Sequence, residues 1–268
     1  CDEGETAADA GMMPRPASTT RLRRPVIAAA RAYGRLLGTV LSVARRLGPG
    51  RFGDAPAATA GVLLAVHLVP VTIWLGPLGF VVVLVAGLVT SNVIRRRVRH
   101  RGLTPAERSV GVAVFGDAAW LDDVVLTDLA GRGGRAFTVP AVDGRILCNL
   151  GSHLDATLGP GTRAYPVPGQ LLIHELVHAW QIAAARSPAG FLADALGDQA
   201  RYELGEDVYG VRDVGENHHM PRRGEVERQA TIVDRWFGGQ SSPTRRPRDP
   251  ESPSAPVIEQ LRRPVQRG

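Results

Sequence analysis

The sequence predicts an α+β domain, a small sheet combined with two chemically distinctive helices, preceded by a hydrophobic membrane-embedded helical segment. Three observations predict it. The stretch LLIHELVHAWQ, residues 171–181, sets His174, Glu175 and His178 in an apolar run with helical spacing. Residues 57–94 carry no formal charge and include GVLLAVHLVPVTIWLGPLGFVVVLVAGLV. Between these segments, short apolar runs alternate with turn residues in the manner of strands.

Composition narrows the class before any motif is read. A chain of 268 residues with 44% hydrophobic content holds one or two domains with a real core. It has no lysine, so the net charge of +6 rests on arginine, a usage that suggests a GC-rich bacterial genome. Only Cys1 and Cys148 are present, which argues against a disulfide framework and against a thiolate metal site. Cys1 in place of Met reads either as the start of a fragment or as the lipidated end of a processed lipoprotein. The arginines cluster beside apolar segments and in the tail, with little aromatic interleaving, so membrane lipid phosphate is the expected partner and nucleic acid is not.

Residues 1–20 are small, polar and proline-containing, and read as disordered. Residues 21–56 form a basic amphipathic helix and linker. Arg31, Arg35, Arg45 and Arg46 fall within roughly a 100° sector at about 100° per residue. Two readings are open for this helix: packed with a solvated face, or lying on an anionic membrane. Residues 57–94 are too apolar and long for an ordinary core helix, and Gly76-Pro77 divides them into pieces of about eighteen residues, near the minimum for a span. Arginines crowd both flanks, Arg45, Arg46 and Arg51 before and RRRVRHR over 95–101 after. A two-helix hairpin with both ends in the cytoplasm satisfies both flanks; a single tilted span satisfies one. The domain that follows is expected on the cytoplasmic face.

Residues 103–239 form the compact domain. Thr104, Pro105 and Glu107 compose a capping box, and the helix they start stops at Gly116. DDVVLTD and RAFTVPAVDGRILCNL read as strands, with Asp143-Gly144 as a turn. After the His174 helix comes a helical stretch over 191–203, a loop over 204–224, and a last helix in EVERQATIVDRWF striped by Val226, Ala230, Val233 and Phe237. Residues 240–268, rich in Pro, Arg and Ser, read as a disordered tail.

The central motif has a direct chemical reading. Residues four apart lie above one another on a helix, so His174 and His178 can close on one metal ion from a single face. Glu175 beside them is placed to take a proton from a metal-bound water. A helix this apolar is buried, and buried imidazoles and carboxylates need partners or a metal. Catalytic zinc takes three protein ligands, so one is missing. A histidine six residues after His178 falls at Ala184, and Gln181 stands where that pattern has glycine, which removes the metzincin arrangement. Glu225, Glu227, His218 and His219 remain as candidates. By angle counting Glu225 lies nearer the buried stripe than Glu227. Tyr202 and Tyr209 are candidates for polarising a carbonyl, and Cys148 reads as a small buried strand residue.

From LTPAERSVGVAVFGD through HELVHAWQ to ERQATIVDRWF, residues 103–237 resemble a group of small bacterial H-E-x-x-H proteins related to Vgr proteins and associated with contractile injection systems. The shared features are a Leu-Thr-x-x-Glu opening, a Phe-Gly, H-E-x-x-H-x-x-Q and a later E-x-Q-A. The resemblance covers about half the chain and implies a zincin-like metallopeptidase fold. Matching E-x-Q-A implies Glu227 as the third ligand, a gluzincin-like Zn2+ site of His174, His178 and Glu227.

Two functions follow as expectations. The first is a membrane-associated zinc peptidase acting on a peptide or protein, with Glu175 as general base. The alternative is an inactive docking or effector module linked to a secretion system. Glu175 separates them, because a site that bound metal only for folding has no use for a base beside it.

Overall fold

The computed structural model describes residues 18–46, 54–116, 119–163, 165–210, 225–239 and 255–265. The chain runs α1 (Ser18–Arg46), α2 (Ala55–His67), α3 (Val69–Leu75), α4 (Pro77–Arg97), β1 (His100–Arg101), α5 (Pro105–Phe115), β2 (Val124–Thr127), β3 (Phe137–Pro140), β4 (Ile146–Asn149), α6 (Gln170–Ala184), α7 (Pro188–Glu203), α8 (Val226–Phe237) and α9 (Ala255–Leu261). It is a mixed structure of helices and one small sheet. The disorder expected of 1–20 lies almost wholly outside the described residues.

The sheet has the order β1-β2-β4-β3. β2 and β4 are parallel and fully buried, which suits their apolar runs 124–126 and 146–148; β1 and β3 pair antiparallel at the two edges. The turn expected at Asp143-Gly144 closes β3 on β4 through the Ala141 amide, which donates to the Arg145 carbonyl. In antiparallel pairing, bonded and unbonded pairs alternate. Counting from Ala141 and Arg145, Pro140 falls at an unbonded position, where its missing N–H costs nothing. Thr138 falls at another, so its N–H and C=O point toward the outer edge, and among the described residues no strand pairs there.

One face of the sheet carries α6, and α8 packs on α6 from beyond. Leu172, Ile173, Leu176 and Val177 fill the space between Leu126, Ile146 and Cys148 on one side and Ala230, Val233 and Trp236 on the other. On the other face, Ala55 of α2 packs against Val125, Ala141 and Leu147. The sheet begins at His100, inside the arginine-rich flank, rather than at the expected boundary of 103. The capping box of α5 forms as its sequence indicates, Thr104 Oγ1 accepting from the Glu107 amide and Glu107 Oε2 from the Thr104 amide.

The amphipathic helix α1 turns one apolar stripe inward and leaves Val26, Leu36 and Val43 exposed. Leu37, Leu41 and Ala44 are buried with Phe191 and Leu192 of α7. Gly34 and Gly38 lie so close to α7 that a Cβ at either position would strike the backbone of Leu192 or Ala189. The packed reading of this helix holds, with Arg35, Arg45 and Arg46 on the exposed side.

The uncharged segment doubles back at Gly76, whose positive φ of 57° suits glycine. Its first piece is not the single helix of about eighteen residues expected. It breaks at Leu68, because Pro70 lacks the N–H that would continue α2. The start of α2 is moreover part of the sheet's core: Thr59 is buried, and its Oγ1 accepts from the Val142 amide. The second piece, α4, is apolar all round, with Leu78, Phe80, Leu84, Val85, Leu88 and Val89 among its exposed side chains. Two helices are long and apolar enough to cross a membrane, Arg23–Arg46 and Leu78–Arg97, with 22% and 6% of their apolar stretches buried.

Part of the expected disordered tail is folded. Val257, Ile258 and Leu261 of α9 are buried in the main core. The Arg262 guanidinium donates to the Val114 and Ala113 carbonyls at the end of α5. The apolar spacing of PVIEQL hides within a run dominated by Pro, Ser and Arg, and composition alone concealed it.

Candidate metal centre

α6 starts after Gly169, in left-handed conformation, and is buried along nearly its whole length. The helix sets the His174 and His178 rings edge to face, centroids 5.0 Å apart. Glu227 in the first turn of α8 comes to both of them: its Oε2 lies 3.5 Å from His174 Nε2 and 3.5 Å from His178 Nε2. The ligand atoms of His174, His178 and Glu227 all lie within 4.8 Å of one another. Glu225 does not join them. It is the residue before α8, with its carboxylate 3.9 Å from the Arg228 guanidinium. Angle counting favoured Glu225 only by treating a cap residue as helical.

The far side of each imidazole is occupied. His174 Nδ1 donates to Asp234 Oδ2 at 2.6 Å, and Asp234 Oδ1 also accepts from Gln170 Nε2 at 3.3 Å. His178 Nδ1 bonds Gln181 Oε1 at 2.8 Å. Gln181 Nε2 donates to the Val226 carbonyl and to Gln229 Oε1, so Gln181 Oε1 is an acceptor and the proton belongs to His178 Nδ1. With Nδ1 engaged on the far side, each ring directs Nε2 toward Glu227; without a cation a proton there faces the carboxylate, and loss of that proton would free the Nε2 lone pair to ligate a metal.

Glu175 is buried, and its Oε2 accepts from Thr138 Oγ1 of β3 at 2.7 Å. Burial raises its carboxyl above the usual range, opposed by the two imidazoles and Thr138. Burial alone would lower His174, but the hydrogen bond to Asp234 and the nearby Glu227 carboxylate outweigh it and push the ring up to about 10; burial would likewise lower His178, and the charge of Glu227 raises it instead. Glu227 is held well below the usual carboxylate range, the pull of both imidazoles exceeding the effect of burial. The pocket thus stabilises positive charge strongly, which is what a divalent cation requires.

α8 is itself anchored from α7. Buried Asp198 accepts from the Val226 amide at 2.9 Å and lies 3.5 Å from the Glu227 amide, capping the free N–H groups of α8. Burial raises Asp198 to about 6, against these amides and Arg201.

Tyr165 packs edge-on against His174, centroids 5.7 Å apart. It also lines a shallow, open cleft with Thr157, Pro160, Val167 and Leu171. Tyr209 packs edge-on against Tyr202, which is exposed; burial raises the Tyr209 hydroxyl, and Glu227 adds to the shift. Cys148 is a buried strand thiol under α6, its Sγ 3.9 Å from the Glu175 carbonyl. His218 and His219 lie outside the described residues. Asp234, Thr138 and Tyr165 went unread in the sequence; Asp234 alone carried a signal, lying two turns after Glu227 on one helix face. No protein-family model, curated protein or solved structure matches this chain.

Proposed function

We propose that the chain is a membrane-associated, zinc-dependent peptidase with a zincin-like domain and a gluzincin-like ligand set. The observation that carries the reading is the meeting of His174, His178 and Glu227. Their 3.5 Å separations are long for charge-assisted hydrogen bonds. They match instead the edge of a tetrahedron whose bonds are about 2.1 Å, an edge of about 3.4 Å. Two imidazoles and one carboxylate, with no cysteine, form a donor set used by hydrolytic zinc, which leaves a position for water.

When bound, zinc supplies a Lewis acid and lowers the pKa of a water molecule. Glu175 takes the proton of the attacking water and returns it to the leaving amine, its raised carboxyl suiting both steps. Asp234 and Gln181 hold the imidazoles in one tautomer throughout. A peptide lies along the free edge of β3, exchanging backbone hydrogen bonds with Thr138, whose hydroxyl holds Glu175. Arg95, Arg96 and Arg97 close α4 at the end that leads into the domain, so the positive-inside rule puts the domain on the cytoplasmic face.

Glu175→Gln tests the reading, because it keeps the shape and removes the base. Zinc content and fold should survive while cleavage of an unbiased peptide library falls by about a hundredfold or more. If the wild-type, zinc-loaded chain cleaves nothing that the variant spares, the docking-module reading replaces this one.

A further inference from the structure

Arg135 stands two residues before β3, at the head of the free sheet edge, and its side chain is exposed. It is nonetheless fixed. Nη2 donates to Tyr202 Oη at 3.0 Å, and the guanidinium lies over the Tyr202 ring, 4.7 Å from its centroid. Tyr202 is braced by Tyr209, ring centroids 5.7 Å apart.

Like Arg163, Arg186 and Arg235, and unlike six other arginines, Arg135 makes no ion pair among the described residues. Arg99, Arg101, Arg108, Arg145, Arg201 and Arg228 each lie within ion-pair distance of an acidic side chain. A guanidinium held by an aromatic face and one hydroxyl keeps most of its five N–H donors for another group, and its planar fork matches a carboxylate.

We propose that Arg135 is a specificity-determining residue, selecting peptides that bring a carboxylate to the head of β3. This rests on the peptide-binding reading of the β3 edge. Thr138 beside Glu175 marks the reacting position, and Arg135 is three residues upstream, about 10 Å along an extended strand. A peptide antiparallel to β3 runs its C-terminal side toward Arg135. The carboxylate is therefore on the C-terminal side of the cut bond, a few residues away, either as an Asp or Glu side chain or as the free end of the peptide.

The test measures binding rather than turnover. The full-length Glu175→Gln chain, zinc-loaded in nanodiscs, is titrated into fluorescently labelled short peptide pools by anisotropy. The pools differ only in Glu, Gln or Lys near the C-terminal end, and in a free against an amidated C terminus. Carboxylate pools should bind about tenfold to a hundredfold tighter, a gain typical of a charge-assisted paired hydrogen bond. Dependence on Glu assigns a side-chain carboxylate, and dependence on the free acid assigns the terminus. Adding Arg135→Gln should bring the ratio near one, and Arg135→Glu should reverse it in favour of a Lys pool. Equal binding of all pools, a preference that survives Arg135→Gln, or no peptide binding overturns the proposal. Cleavage by the wild-type chain is followed in parallel. Arg135-dependent binding without cleavage overturns the peptidase reading and leaves this one standing; cleavage without carboxylate preference does the opposite.

Discussion

Replacing Asp234 by Asn removes a negative charge from behind the metal group while keeping the shape of the side chain. Asp234 Oδ2 accepts from His174 Nδ1 at 2.6 Å, and both side chains are only 5% exposed, so solvent cannot substitute for the lost carboxylate. An asparagine that keeps its oxygen toward His174 still orients the ring but no longer increases its basicity. One that turns its NH2 inward drives the proton to Nε2 and takes away the lone pair facing Glu227. Loss of such an outer partner costs tenfold to a hundredfold in metal affinity, about 1.4–2.7 kcal/mol. The near-complete burial of the pair puts the expected value in the upper part of that range. A competition titration with a chromophoric zinc chelator measures it, and the thermal midpoint of the metal-free protein checks that the fold survives. Glu225→Gln, whose partner is Arg228, is the control and should bind zinc as wild type does. Asp234→Asn affinity within about twofold of wild type, in a folded protein, refutes the assigned role of Asp234.

Two further tests address the scaffold. Burial alone would raise Glu107, but Arg101, paired at 2.6 Å, with Thr157 and Thr104, outweighs it and holds the carboxyl at about 2 instead of 4.5. Because the folded value is the lower one, this stability is full above pH about 4.5 and is lost as pH falls toward about 2. It amounts to about 2 kcal/mol once the partial exposure of Arg101 is allowed for, and Glu107→Gln should flatten that part of the acid unfolding curve. The chain should also sediment with membranes and resist high-salt washing, since the exposed side chains of α4 attach by apolar contact; release by salt alone contradicts a span at α4.

What the sequence disclosed follows from how local each feature is. The His174 helix, the Thr104 cap and the Asp143-Gly144 turn are set by residues within a few positions of one another, and each could be read from spacing. The parallel pairing of β2 with β4 could not, because nothing in either strand names its neighbour. Nor could the docking of α1 on α7, which depends on Gly34 and Gly38 meeting a backbone far along the chain. At the site, His174, Glu175 and His178 were legible, and Glu227 came only through the E-x-Q-A resemblance. Glu227 reaches the imidazoles because α8 begins after Glu225 and Asp198 caps it, and both facts belong to the tertiary structure. Thr138 works across elements and carried no pattern of its own, and Gln181 stood in the H-E-x-x-H-x-x-Q resemblance without a partner assigned to it.

That three side chains hold one metal ion is the central proposal. Elemental analysis of the purified full-length chain measures this directly, with His178→Ala, Glu227→Ala and Glu225→Ala beside the wild type. The expected result is one zinc per chain in the wild type and in Glu225→Ala, with near-complete loss in His178→Ala and Glu227→Ala, since two protein ligands are too few for a catalytic site. Full zinc retention in Glu227→Ala, or loss in Glu225→Ala alone, contradicts it.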